Sequence, residues 1–472
     1  MPSSLAAAPA LSARGGPVRS RTGVGIAAVT AGLALVGVFV SQRARGVPTV
    51  GGPNVVLVIG CTVRADQLAP WGAPVDPAPT LSRWARDGAT FAANIAAAPW
   101  TKPATAAIVS GRWPTALGMA TRKRGLDSRK LPEDADTLAE RFRAAGRRTV
   151  GGAANPNAGE VFAFQQGFDS YFNPDHLWRD GGGGKVDGAL VVDAVLDDLR
   201  AGEDGRPFYA QLLLVDAHEP YNQGDAWKAW KTPESTRRIA LYRAMLAHLD
   251  THLDRLEQGL AALGHGPDDT LFVFVGDHGE GLTTPAHHGW GHGNYLYPSS
   301  VHVPLVMRGP GIPAGTQVQA LTSSVDVLPT VLALAKLPAG APVDGLDQSA
   351  WATGARGPQR PEALVASFFR GIDRAALYGD TNLCQRDFGP PPAPKKKRKR
   401  PPFPDACFDW RHDPDAVLPV EDPALTARLE AAHVALIADL DARDAGQVPD
   451  ATLDQVTRDA LERLGYLRDS DE

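Results

Sequence analysis

Two apolar runs, far apart in the chain, end in the same way. One occupies 55–60 and stops at Cys61-Thr62-Val63-Arg64-Ala65-Asp66. The other occupies 271–276 and stops at Asp277-His278-Gly279-Glu280. Apolar runs of this length, bounded by glycine and polar residues, read as strands buried on both faces. Further strands are expected at 147–150, 208–215 and 303–307, with Gln211 the polar interruption of the second. Between them lie helical patterns. Leu81, Trp84 and Ala85 share a face over 80–88, and an alanine-rich stretch with Pro103 in its first turn covers 101–110. Leu138 and Phe142 mark a helix over 136–145 that stops at Gly146. Leu246, Leu249, Leu253 and Leu256 line one side of a long helix over 239–263, and another helix is expected over 325–337. Strand and helix alternate from 53 to about 340, which predicts an α/β fold: a large, mostly parallel sheet sandwiched by helices. Ligands of such sheets collect beyond the carboxyl ends of the strands. Two strands ending in donor-rich turns can therefore build one site.

The pattern changes at both ends of the chain. Residues 1–22 are rich in Ala, Pro, Ser and Arg and are expected to be a disordered tail. The stretch 23–40 carries no charge and only Thr30 as a polar side chain, with Arg43 and Arg45 behind it. As a helix it would be about 27 Å long, enough for a thin hydrocarbon core. It reads as a transmembrane signal-anchor over 23–42 or as a secretory signal peptide. Val38-Phe39-Val40-Ser41 lacks a small-x-small cleavage site, which favours the anchor. Either reading puts the globular part outside the cytoplasm, in a periplasmic or extracellular space, with the membrane as a partner. Residues 53–350 form the expected main domain and 351–472 a small C-terminal α+β subdomain, with helices over 424–442 and 451–464. Within it, the proline-rich segment 390–404 surrounds the basic run from Lys395 to Arg400. Such a run is a solvated loop or a contact for anionic lipid headgroups.

Composition adds boundaries. The chain of 472 residues is 43% hydrophobic and 21% charged, ordinary for a globular protein with a large core. A net charge of -5 gives no global attraction to nucleic acid, and no nucleic-acid partner is expected. Three cysteines are too few for a disulfide scaffold. Cys384 and Cys407 flank the basic loop and are expected to form a disulfide closing it; the alternative is a pair of buried thiols.

Asp277 and His278 are the leading metal-donor candidates, offering a hard carboxylate oxygen and an imidazole nitrogen. His278, His287, His288 and His292 are four of the twelve histidines and fall within fifteen residues. His218, in Asp216-Ala217-His218-Glu219-Pro220-Tyr221, ends another strand and is placed to grip an anion or protonate a leaving group. Thr101 opens a helix, where free N–H groups and the helix dipole support negative charge. It reads as a nucleophile toward a sulfuryl or phosphoryl centre, or as a simple N-cap.

With these residues in place, the chain resembles the sulfatase family of the alkaline phosphatase superfamily. Cys61 to Asp66, Trp100-Thr101-Lys102-Pro103, Gly111-Arg112-Trp113-Pro114, His218-Glu219-Pro220-Tyr221, Asp277-His278-Gly279-Glu280, His288 to Gly293 and Pro304 to Gly311 follow the family's motifs in order, and Leu464-Gly465-Tyr466-Leu467 resembles a common family tail. The resemblance implies one divalent metal (zinc or manganese favoured, calcium possible) held by Cys61, Asp277 and His278. It implies Thr101 as nucleophile, His218, His292 and Lys102 as catalytic partners, and Arg64, His288 and Asn155 as contacts of an anionic ester substrate. Two departures matter. Cys61 stands where the family has an Asp ligand, and a thiolate suits zinc far better than calcium or magnesium. Thr101 stands where sulfatases carry a residue oxidised to formylglycine, and Thr105 where a supporting Arg is expected. The implied activity is therefore hydrolysis of sulfuric, phosphoric or phosphonic esters without formylglycine. The alternatives are an envelope phosphotransferase and a non-catalytic, membrane-tethered binding protein on the same fold.

Overall fold

A computed structural model describes residues 51–120, 129–173, 185–202, 204–222, 224–283, 285–389, 403–444, 450–464 and 466. The expected tail (1–22), the expected signal-anchor (23–42) and the basic run (395–400) lie outside the described residues. Among the described residues no helix is long and apolar enough to cross a membrane.

Among the described residues up to 350 there are ten strands. They are β1 (Asn54–Gly60), β2 (Ala89–Ile95), β3 (Arg148–Ala153), β4 (Ser170–Phe172), β5 (Phe208–Leu214), β6 (Thr270–Gly276), β7 (Gly281–Leu282), β8 (Trp290–Gly291), β9 (Leu305–Arg308) and β10 (Thr316–Ser323). Eight form one sheet in the order β10-β2-β9-β6-β1-β5-β3-β4, while β7 and β8 pair separately. β1 runs parallel to both β5 and β6, its neighbours at the centre of the sheet. Only β9 is reversed, pairing antiparallel with β2 and β6. Every residue of β1, β5 and β6 is buried, because helices cover both faces. At about 1.5–3 kcal/mol for each fully buried Val, Leu, Ile or Phe, these central strands are held by burial rather than by pairing alone.

The helices fall near their sequence positions, and the shifts have local causes. Thr101–Ser110 starts and stops where expected. The helix expected over 136–145 occupies Leu138–Ala144. Asp136 sits at φ 50°, which blocks helical continuation, and Thr137 with Glu140 builds a reciprocal capping box. The long helix occupies Arg237–Ala262 and starts on a Thr236 cap. A further helix, Gly188–Ala201, capped by Asp187, packs on β3 and β5.

The C-terminal sheet is wholly antiparallel: β11 (Ala363–Ser367), β12 (Arg374–Tyr378), β13 (Asn382–Asp387), β14 (Ala406–Asp409) and β15 (Pro419–Val420). Cys384 and Cys407 face each other across β13 and β14 and form a disulfide, with Cα atoms 4.0 Å apart. The helix Pro423–Asp444 follows, with Leu425 and Leu429 against Ala375 and Leu377 of β12. The final helix, Gln455–Arg463, returns to the main core through Leu461, Leu464 and Tyr466. The described residues on both sides of position 350 belong to one compact unit.

Candidate active site

Four strand ends and one helix start converge. Cys61 follows β1, Asp277 and His278 follow β6, His218 lies beyond β5, and Asn155 lies beyond β3. Register brings them level: the Cys61 amide bonds to Leu214 O and the Asp277 amide to Gly60 O. Thr62, at φ 61°, is a β-branched residue in the left-handed region, a strained position. That turn aims its amide at Asp277 Oδ1, 3.0 Å away. Gly279 is required for a different reason: a Cβ there would lie 2.0 Å from Ser299 O. Its own carbonyl accepts from His278 Nδ1 at 2.8 Å, which leaves His278 Nε2 as the acceptor facing the site.

Thr101 stands at the centre. Its N-cap is Trp100, whose side chain makes no cap bond, and Thr101 does not cap the helix either. Its Oγ1 lies 3.4 Å from Cys61 Sγ, 3.2 Å from His278 Nε2 and 3.4 Å from Asn155 Nδ2. The shortest contact is with the Tyr466 hydroxyl, at 2.7 Å. That hydroxyl also lies 3.4 Å from His218 Nε2 and 3.5 Å from Asn155 Nδ2. His218 Nδ1 donates to Glu219 O at 2.6 Å, so its Nε2 faces Tyr466 as an acceptor. The His292 ring packs against His278 and His218, with centroids 4.6 and 5.0 Å apart, and its Nδ1 is 3.4 Å from Glu280 Oε2.

Donor atoms of Cys61, Asp277 and His278 lie within 4.8 Å of one another, and all three residues are fully buried. Asp277 Oδ2 has no hydrogen-bond partner. Burial raises the Asp277 carboxyl to about 7, against the pull of the Thr62 and His278 amides. Burial, reinforced by Asp277, pushes the Cys61 thiol well above its usual value. Burial also lowers His278 and His218 well below the ordinary imidazole range, so both rings are neutral. A neutral imidazole, a thiol and a carboxylate oxygen without a donor fit a divalent cation with affinity for sulfur and nitrogen.

Other sequence candidates have partners of their own. One edge of the Arg64 guanidinium, Nε and Nη2, donates to Asp66 at 2.8 and 2.7 Å, and Nη1 donates to Glu280 O at 3.0 Å. His288 stacks on Tyr297, and its Nε2 bonds to Asp415 O at 2.8 Å. No described hydrogen bond joins either residue to the Thr101 group. Lys102 is buried, with Nζ 4.2 Å from the Phe162 ring centroid. Tyr466 was visible in the sequence only as part of a tail motif, and nothing in its spacing ties it to Thr101. It also lines a cavity of about 520 Å³ whose wall includes Trp100, Trp113, Met119, Phe369 and Leu436.

Comparison with known proteins agrees with this geometry. The sulfatase family profile matches residues 53–337. An ulvan-active sulfatase of Formosa agariphila is 25% identical over 337 residues, covering 63% of this chain and 64% of that protein. Human arylsulfatase K is 37% identical over 129 residues, covering 27% of this chain and 23% of that protein. This chain thus spans under two thirds of the length of these relatives. The crystal structure of a phosphonate monoester hydrolase of Agrobacterium radiobacter superposes with a TM-score of 0.64 at 20% identity, covering 83% of this chain and 96% of that one. With its sheet order, its converging strand ends and a family match over more than half its length, the chain belongs to the sulfatase family.

Proposed function

We propose that the protein is a metal-dependent hydrolase of sulfuric, phosphoric or phosphonic esters that works outside the cytoplasm with Thr101 as its nucleophile. One observation carries the reading: Thr101 Oγ1, at a helix start, lies 3.2 Å from His278 Nε2 and 3.4 Å from Cys61 Sγ. A cation held by Cys61, Asp277 and His278, with zinc favoured by the thiol, would supply positive charge beside the Thr101 oxygen and the ester. The chain's own groups move the proton. Thr101 gives its hydroxyl proton to the Tyr466 oxygen as Tyr466 gives its own to His218 Nε2. The Thr101 oxygen bonds to sulfur or phosphorus; the ester bond to the leaving oxygen breaks, and that oxygen keeps the electron pair. His218 then protonates it, releasing an alcohol or phenol. Water attacks the threonyl ester next, restoring the hydroxyl and releasing sulfate, phosphate or phosphonate. Asn155 donates to the Thr101 oxygen throughout, and His292 faces the anion.

The apolar cavity ending on Tyr466 fits an aromatic or apolar alcohol half better than a sugar. The disulfide and the uncharged stretch 23–40 support an extracytoplasmic, membrane-anchored placement. The test is turnover of aryl sulfate, phosphodiester and phosphonate panels by metal-depleted protein given zinc, manganese or calcium. Metal-dependent turnover that falls at least about 10³-fold in Thr101→Ala and survives in Thr101→Ser is expected. No turnover on any ester, with Thr101→Ala binding ligands like the parent, would leave the non-catalytic binding protein. The Tyr466 hydroxyl lying on Thr101 is the observation that favours that second reading.

A further inference from the structure

A second group of metal donors lies on the other side of the His218 turn and shares no residue with the Thr101 corner. It contains Asp187, Asp216, His248 and His252, with one donor atom from each inside a 4.8 Å set. Three elements supply them. Asp187 caps the helix Gly188–Ala201, Asp216 lies just past β5, and both histidines come from the long helix Arg237–Ala262. Residues four apart on a helix share a face, the spacing by which two imidazoles bind one metal.

We propose that these four side chains form a zinc site that clamps the turn carrying His218. His248 Nε2 lies 3.1 Å from Asp187 Oδ2 and 3.8 Å from Asp216 Oδ1. His252 Nε2 lies 3.2 Å from Asp187 Oδ1 and 3.3 Å from Asp216 Oδ1. Zinc bonds of about 2.0–2.1 Å imply a tetrahedron edge of about 3.3 Å, close to these separations. The donor atoms are also short of partners. Asp216 is 1% exposed and His252 4% exposed, yet Asp216 Oδ2 and His252 Nε2 make no hydrogen bond. His252 Nε2 points between two carboxylates that raise its pKa to about 9 against the effect of burial, so a cation arriving there takes the place of a proton. Gly188 keeps the space tight: a Cβ there would lie 2.4 Å from Asp216 Oδ2 and 2.7 Å from His252 Cδ2.

The link to the active site is short. Lys185 Nζ donates to the carbonyls of both Asp216 and His218, two residues apart. A cation fixing Asp216 therefore fixes the backbone from which His218 reaches Tyr466. The Asp187 side chain is 48% exposed and that of His248 24%, so the cation can enter from solvent.

The test uses the full chain, stripped with a chelator, reloaded with excess zinc chloride and gel-filtered for elemental analysis. Asp187→Asn with His248→Gln changes two partly exposed residues and keeps a helix-capping side chain at 187. This variant should hold one zinc fewer per chain than the parent, and zinc should raise its Tm less. An unchanged zinc count overturns the proposal. A second measurement does not depend on that variant folding. His278→Ala protein carrying one equivalent of zinc should show only nitrogen and oxygen neighbours, at about 2.0–2.1 Å, by X-ray absorption. A sulfur neighbour at about 2.3 Å would place that zinc on Cys61 and overturn the proposal.

Discussion

Tyr466→Phe removes one oxygen and keeps the ring. The lost contacts are those to Thr101 Oγ1 at 2.7 Å, His218 Nε2 at 3.4 Å and Asn155 Nδ2 at 3.5 Å. Tyr466 is 5% exposed, so water does not replace the hydroxyl freely. As a structural bond alone the contact is worth about 1 kcal/mol, a shift in Tm of roughly 2 °C for a chain of this size. As the bridge between the nucleophile and His218 it is worth far more. His278 Nε2 and Cys61 Sγ are the other acceptors in reach of the Thr101 proton, and in the proposed reaction both are metal donors. The proton then has only Tyr466 to pass through. General acid–base steps contribute about 10²–10⁴-fold, so kcat should fall about 10²–10³-fold, or about 3–4 kcal/mol.

The assay is steady-state hydrolysis of a series of esters that differ in leaving-group acidity, alongside thermal unfolding. Alkyl esters, whose leaving oxygen needs the proton, should show the full loss in kcat. Nitrophenyl esters, which leave unprotonated, still need the Thr101 proton removed and should lose about 10²-fold, short of the loss with alkyl esters. KM should change little, because the ring still lines the cavity. A variant whose kcat stays within twofold refutes the bridge. So does a loss confined to KM, or one independent of the leaving group. A gain in kcat would instead make Tyr466 a plug on Thr101.

Two further outcomes follow from particular residues. Cys61→Asp exchanges a soft donor for a hard one at the cation corner, so calcium or magnesium should gain at least about tenfold on zinc in supporting turnover of the metal-depleted enzyme; an unchanged ranking of metals would remove Cys61 from the ligand set. Glu257 accepts from Arg83 and Arg308 and from the Trp84 indole, and its carboxyl is lowered to about 2 despite burial. Its folded pKa lies below the unfolded value, so its contribution of about 3 kcal/mol is complete above pH about 4.5 and is lost as pH falls toward 2. Denaturant titrations of the parent between pH 5 and 3 should therefore slope more steeply than those of Glu257→Gln, and parallel slopes would contradict the assignment.

Legibility followed burial and chain separation. β1, β5 and β6 announced themselves because strands covered on both faces need nearly unbroken apolar runs. β2 did not, since Ala89–Ile95 includes Thr90 and Asn94 and its alanines carry little strand signal. β10 is exposed or half-exposed over much of its first half, and its pattern resembles a loop. The helix Gly188–Ala201 carries Val191, Val195 and Leu199, four apart, a helical signal that the expected elements do not include. The metal corner could be named because its donors close two legible strands. Arg64 and His288 sit in the right motifs, and each also has a local partner, Asp66 for the guanidinium and the Asp415 carbonyl for His288 Nε2. Sequence cannot weigh a near neighbour's claim on a side chain against a distant ligand's. Tyr466 meets Thr101 across 365 positions, through a final helix that returns to the first core. Periodicity describes the helix and says nothing of where it docks.

The departures at 61 and 101 make physical sense together. An Asp at 61 beside Asp277 would place two carboxylates in a fully buried corner and require a hard cation to hold them. Cys61 replaces one of those charges with a thiol that burial keeps protonated until a cation displaces the proton. The corner is then almost neutral when empty of positive charge, with Asp277 near the middle of its titration at pH about 7. Binding zinc would ionise Cys61 and Asp277 in one step and release their protons. A hydroxyl nucleophile fits such a corner. It needs negative charge stabilised only while it attacks, whereas an oxidised aldehyde would need the arginine that Thr105 replaces. On the proposed reading, the orphaned Asp277 Oδ2, the thiol that burial keeps protonated and a hydroxyl at 101 answer one requirement, a cation that arrives last and brings the charge with it.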